Sequence, residues 1–321
     1  MVENLLDPLF LFFAVGFLAG VLKSDLKLPD AVYQLLSTYL LLAIGLKGGV
    51  QLAIAPPANV VGPALGALGL GAAMALGVFY AALRLGRWNR ADSAALSAHY
   101  GSASAVTFAA ALAMLHRTGV EHEGFLPVLL VIMEVPAIIV AVFLHRLAPT
   151  AEGRRPEGYG RLLHEVVLNR SVFLLLAGLA VGLLSGPQRF APFEPLFVAA
   201  FKPILAFFVL EMGLLAAHRL PELRRSGLFL LLTAMVVPLV GGLAGGWVGV
   251  VTGLTSGGAI VLATLTASAS YIAAPAAVRV AIPEANVGAC VAAALGLTFP
   301  FNLAIGIPTY AQWVTYLRAP G

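Results

Sequence analysis

His99–Thr107 reads HYGSASAVT, and Thr266–Ile272 reads TASASYI. Each run lies inside a long apolar segment, yet it gathers glycine, alanine, serine and threonine where a lipid-facing helix would carry Leu, Ile and Phe. Gly101 costs backbone entropy in a helix interior, and the serines offer the main chain competing hydrogen bonds. Each run therefore predicts a break in a helix. Within a bilayer, the N–H and C=O groups freed by a break need partners, which confines such a helix to the protein interior or to the wall of a watery cavity. A transported solute can be that partner.

The composition sets the surroundings. Hydrophobic residues make up 60% of the 321 and charged residues 11%, with a mean hydropathy of +0.95. These values lie far from a soluble globular domain and predict an all-α integral membrane protein. A single cysteine, Cys290, leaves no internal disulfide and no cysteine-based metal cluster. Met1–Pro8 carries Glu3 and Asp7 rather than the basic start of a cleavable signal, so the first apolar run is expected to remain as a span. The basic residues lie in loops without aromatic interleaving, and no nucleic-acid partner is expected.

Ten apolar segments follow one another, at about Leu9–Leu22, Ala31–Ala53, Pro57–Leu85, Ala91–His116, Phe125–Leu147, Ser171–Ser185, Phe193–Ala217, Gly227–Thr252, Gly258–Ile282 and Ala285–Tyr316. A polar stretch at 148–170 divides them into 1–147 and 171–321. The two halves align at an offset of roughly 165 residues, about the length of one five-span unit. FLAGVL at Phe17–Leu22 faces LAVGLL at Leu179–Leu184, SAS at Ser102–Ser104 faces SAS at Ser268–Ser270, and MEVP at Met133–Pro136 faces LTFP at Leu297–Pro300. Five spans per half is an odd number, so the second copy enters the membrane from the opposite side. Inverted repeats broken at the same place in each copy are a transporter pattern. On the side of the 148–170 linker stand 14 of the 19 Lys and Arg residues, with Lys47, Arg117, Arg189, Lys202 and Arg318 opposite. This asymmetry places the linker in the cytoplasm and both termini outside the cytoplasmic membrane.

If spans four and nine both break at mid-depth, four half-helix ends meet there. Helix N-termini carry about +0.5 charge and C-termini about −0.5, so such a crossing can hold an anion and a cation. Ser102, Ser104, Thr107, Ser268 and Ser270 add hydroxyls. Ser104 and Ser270 are placed to start the second half-helices, with Pro275 in the first turns of one. Neither run contains Lys or Arg, which favours a small, singly charged anion. The competing reading is that small residues merely let helices pack closely.

Glu134 is the one carboxylate at the centre of a span in the first half, and a charge there costs at least about 2.5–3.5 kcal/mol. Sodium, a hard cation, is a natural partner. Thr298 occupies the matching place in the second half, and Asn302 lies one turn further on. A proton-carrying Glu, or one capping a half-helix, is the alternative. Glu211 in span seven reads as a structural partner of Lys47 or Lys202. His99 reads as a polar residue lining the cavity, whereas His116 and His122 fall in an external loop and carry no assignment.

Four stretches carry a resemblance: KLPDAVYQLLSTYLLLAIGLKGGVQLA, SAHYGSASAVTFAAAL, SASYIAAPAAVRVAIPEANVG and LGLTFPFNLAIGIPTY. They resemble the sodium-dependent bicarbonate transporter family of cyanobacteria and other bacteria. The resemblance implies ten spans in two inverted five-helix repeats, with a core domain built around broken helices four and nine. It implies a gate domain from spans one, two, six and seven, a homotrimer in membrane lipid, and elevator-type symport of bicarbonate with sodium as coupling ion. The anion would then contact Gly101, Ser102, Ala103, Ser104, Ser268, Ala269 and Ser270. Sodium would sit among Glu134, Ser102, Thr107, Thr298 and Asn302, although some relatives have the shorter Asp at the place of Glu134. Cyanobacterial members bind a PII-like regulatory protein on the cytoplasmic face, which leaves the same partner open for this chain. Other readings of the residues are a sodium or proton antiporter, or a sodium symporter of another small monocarboxylate. No nucleophile and base pair points to an enzyme.

Overall fold

Polar caps mark where several of the helices begin, because the first N–H groups of a helix need side-chain acceptors when lipid offers none. A computed structural model describes residues 6–147, 164, 167–225 and 227–319, the side chains of residues 135, 224 and 225 excepted. The 148–170 linker therefore lies largely outside the described residues. Asp7 Oδ1 accepts the Leu9 N–H at 2.8 Å and starts α1, Pro8–Val21. Then come α2 (Asp30–Leu52) and α3 (Pro57–Arg84). Asn89 caps α4, Arg90–Gly101, by accepting the Asp92 N–H at 2.8 Å. The chain breaks at Ser102–Ser104, resumes as α5, Ala105–Thr118, and turns at Gly119 with φ +67°. Leu126–Arg146 forms α6, and Arg170–Phe190 forms α7, capped by Asn169.

The chain continues with α8 (Phe201–Arg225), preceded by a π turn at Pro195–Ala199, and α9 (Gly227–Val251). Thr255 caps α10, Ser256–Thr266. Six residues further, α11 runs over Ala273–Ala281. The last span, α12, covers Val287–Leu317, with π turns at Ala294–Thr298 and Asn302–Gly306 around Phe299–Phe301. Pro300 lacks the N–H that a regular ladder needs there.

Among the described residues every regular element is helical. Eight helices are long and apolar enough to cross a membrane, counting α4 with α5 as one, and α1 and α10 are shorter apolar helices. The sequence expectation of ten crossings thus meets eight full-length helices and two short ones. The span Arg90–Thr118 is the most buried of the eight. That is where a broken helix belongs if lipid cannot satisfy its main chain.

Two helix pairs pack backbone against backbone. Gly45 and Gly49 of α2 lie on Gly178 and Gly182 of α7, and Gly16 and Gly20 of α1 lie on Gly213 and Ala217 of α8. A Cβ added at Gly16, Gly49, Gly182 or Gly213 would collide with the partner main chain. These are small-xxx-small contacts, which give lipid-embedded helices their closest approach. The glycine spacing is written in the sequence, whereas the partners it meets are set by the packing. Around the other side, α3 packs on α4 and α6, while α9 packs on α10 and α12; α5 crosses to α10, and α11 crosses to α4 and α6. Gly178→Val should therefore loosen the α2–α7 pair by roughly 1–3 kcal/mol of overpacking. A thermal melt of the detergent-solubilised protein should show Tm falling by several degrees; an unchanged Tm would mean the close contact carries no stability.

Candidate binding site at the helix crossing

The two breaks touch. Ser270 N–H donates to the His99 carbonyl at 2.8 Å, and Ser104 N–H donates to Ser268 Oγ at 2.8 Å. Ser268 Oγ in turn donates to the Leu265 carbonyl at 2.7 Å. The main-chain groups released by each interruption are thus partly taken up by the other. The C-terminal ends of α4 and α10 and the N-terminal ends of α5 and α11 converge on one buried spot, since Gly101, Ser102, Ala103, Ser104, Ser268, Ala269 and Ser270 are all buried. Two partial positive and two partial negative ends share that spot.

The capping expectation holds in full for Ser104, whose Oγ accepts the Thr107 N–H at 3.2 Å. For Ser270 the outcome differs. Its Oγ accepts the Ala274 N–H at 3.1 Å, but the helix starts two residues later, with Ile272 at the cap position and Pro275 in the first turn. The second break is longer than the first, six residues against three. That leaves more free main chain at this end.

Several polar atoms at the crossing have no hydrogen-bond partner among the described residues. They are Ser102 Oγ, His99 Nε2 and Glu134 Oε2. His99 Nδ1 lies 2.7 Å from the Ala95 carbonyl, so this side chain is anchored at one nitrogen and open at the other. A buried polar atom without a partner costs about 1–3 kcal/mol, so atoms of this kind mark where a ligand supplies the missing contact. Glu134 is 3% exposed at mid-length of α6. No ion pair with Lys or Arg forms on it among the described residues.

Thr298 and Asn302 have protein partners. Pro238 interrupts α9 and leaves the Ala234 carbonyl without its helical donor. Thr298 Oγ1 fills that place, donating to Ala234 O at 2.9 Å while Tyr100 OH lies 2.8 Å from the same hydroxyl. Asn302 Nδ2 donates to the Ala267 carbonyl in the second break at 2.8 Å, and Tyr310 OH lies 3.0 Å from its Oδ1. Both residues therefore fasten α12 to the crossing. Among the described residues no hydrogen bond joins Glu134 to Ser102, Thr107, Thr298 or Asn302, so the five residues expected around sodium are each buried but form no single network. Tyr100 and Tyr271 were not singled out in the sequence, since a tyrosine in an apolar span gives no sign of where its hydroxyl ends.

One expectation fails. Glu211 pairs with neither lysine: Lys47 Nζ stands 4.8 Å from the Phe201 ring centroid, and Lys202 Nζ lies 3.0 Å from His116 Nδ1. Lys202 stands in the first turn of α8, whereas Glu211 lies near the middle of that helix. His116 is a further correction. It belongs to the last turn of α5 rather than to a loop, and it has a cationic neighbour.

The family model described as the Na+-dependent bicarbonate transporter superfamily matches residues 8–315 of the chain. No curated protein matches it.

Proposed function

The chain belongs to the Na+-dependent bicarbonate transporter superfamily, and from that premise we propose that it carries bicarbonate into the cell together with sodium. The observation that carries this reading is the pair of bonds joining the two breaks, Ser104 N–H to Ser268 Oγ and Ser270 N–H to the His99 carbonyl. Bicarbonate, a small singly charged oxyanion, suits hydroxyl donors and helix N-termini at a place without Lys or Arg. Sodium beside Glu134 supplies the positive charge the crossing lacks, so each solute raises the other's affinity. That mutual dependence is what makes the pair travel in one direction as a symport.

The inverted-repeat arrangement is supported by the matched packing of α1 on α8 and of α2 on α7 through small residues. In the elevator reading, those four helices form the gate domain while α3–α6 and α9–α12 carry the site across. We infer a homotrimer in the cytoplasmic membrane with both termini outside, as the family resemblance and the Lys and Arg asymmetry imply. A PII-like partner would bind the cytoplasmic face.

Uptake of radiolabelled bicarbonate into proteoliposomes tests the proposal. An inward sodium gradient should accelerate it by at least roughly fivefold over choline, the scale set by a coupling of about 1–3 kcal/mol. Equal uptake in sodium and choline would remove the coupling, and uptake driven by a proton gradient alone would favour Glu134 as a proton carrier.

A further inference from the structure

A cavity of about 700 Å³ opens between α2, the C-terminal part of α5 and the start of α8, on the side away from the 148–170 linker. Its polar lining includes Lys47, Lys202, His116, His122, Glu123 and Glu194. The two lysines approach it from the α2 and α8 side and the histidines from α5 and the loop behind it. Glu123 is already engaged, accepting the Thr255 N–H at 2.6 Å and the Thr255 hydroxyl at 3.0 Å. Glu194 is the remaining carboxylate. Neither lysine forms an ion pair among the described residues. Lys47 rests its ammonium on the Phe201 ring, and the Lys202 ammonium donates to His116. Two ammonium groups without a carboxylate partner therefore face the cavity beside Glu194, while the Glu123 carboxylate is turned to Thr255; the formal charges of the lining cancel with the histidines neutral, and the positive character is local to the lysine side.

The cavity approaches the crossing at one residue. Ala109 lines it and lines a small void shared with Ala105, Val106 and Ile272. Ala105 and Ile272 stand at the starts of α5 and α11, so this void lies against the crossing. A lysine part-way into a membrane span without a carboxylate partner is expensive unless water or a ligand faces it. An aromatic face offsets only part of that cost.

We propose that Lys47 and Lys202 form a second anion subsite, which receives a small monovalent oxyanion from the outer solution before it reaches the serines of the crossing. Its use in transport rests on the symport reading above, whereas its capacity to bind an anion does not. Ammonium groups that have no carboxylate partner attract an oxyanion locally and speed its arrival, an effect that salt screens.

The test uses a cysteine at Ala113, on the cavity wall, since the native Cys290 is buried. Purified Ala113→Cys protein in detergent is treated with methanethiosulfonates carrying either a sulfonate or a trimethylammonium group. Two ammonium groups lining the same cavity should make the anionic reagent react roughly fivefold faster at low salt. The preference should approach parity in Lys47→Gln/Lys202→Gln, persist in Lys47→Arg/Lys202→Arg, and shrink when bicarbonate is added. Equal rates in the parent, or a preference that survives the double Gln substitution, would overturn the subsite. In proteoliposomes the same Gln pair should raise KM for bicarbonate severalfold, while an unchanged KM would deny the subsite a part in uptake. If the parent takes up no bicarbonate at all, the transport reading falls and the reagent preference still reports on the subsite.

Discussion

Glu134→Gln is expected to abolish the sodium dependence of bicarbonate uptake and the sodium-induced rise in Tm. The substitution keeps the size and shape of the side chain and removes its charge. Glu134 is 3% exposed in the middle of α6, and its Oε2 has no protein partner among the described residues. A buried carboxylate without a cationic side chain needs a cation from solution, or it must give up its charge. Deleting one member of a buried charge pair costs about 3–5 kcal/mol, so apparent sodium affinity should fall by roughly a hundredfold or more. Glu134→Asp, one methylene shorter, should fall between the two. Without sodium, the Gln variant should be at least as stable as the parent, because no buried charge is left uncompensated. Titrating Tm against sodium chloride, with choline chloride holding ionic strength, measures both effects. Retained sodium affinity in Glu134→Gln would move the cation elsewhere and leave Glu134 as a proton carrier or a structural group.

The parts of this structure legible in the sequence are those set by local chemistry. Ser102–Ser104 and Thr266–Ile272 announced the two breaks because serine and glycine weaken a helix wherever they stand, and the breaks fall there. Asp7, Asn89 and Asn169 likewise mark helix starts by their own side chains. What stayed hidden depends on how distant elements meet. Thr298 looked like the twin of Glu134, yet its hydroxyl is held by the carbonyl that Pro238 frees in another helix. Glu211 was matched with lysines by charge alone, although Lys47 and Lys202 turn toward Phe201 and His116. The π turns of α12 were beyond reach as well, since Pro300 predicts an interruption but not which carbonyls find other donors. Gly45, Gly49, Gly178 and Gly182 are the contrary case, a spacing available in the sequence whose partners only the packing reveals.

Ser102→Ala and Ser268→Ala should separate ligand binding from structure at the crossing, though the two serines look equivalent in sequence. Ser268 Oγ accepts from Ser104 N–H and donates to the Leu265 carbonyl. Removing it strands a buried N–H, which costs about 1–3 kcal/mol and should lower Tm along with bicarbonate affinity. Ser102 Oγ is buried with no partner among the described residues. Its removal takes away no protein bond, so Ser102→Ala should melt at or slightly above the parent temperature. If Ser102 donates to the anion, the variant loses a hydrogen bond to a charged group worth about 1.5–3 kcal/mol, and KM for bicarbonate should rise roughly 10- to 150-fold. The informative result is the contrast, one variant weakened in both properties and the other in affinity alone. Should Ser102→Ala transport with an unchanged KM, the anion would have to be held by the main-chain N–H groups of α5 and α11 without this hydroxyl. Should Ser268→Ala melt like the parent, the bond between the two breaks would not be what holds them together.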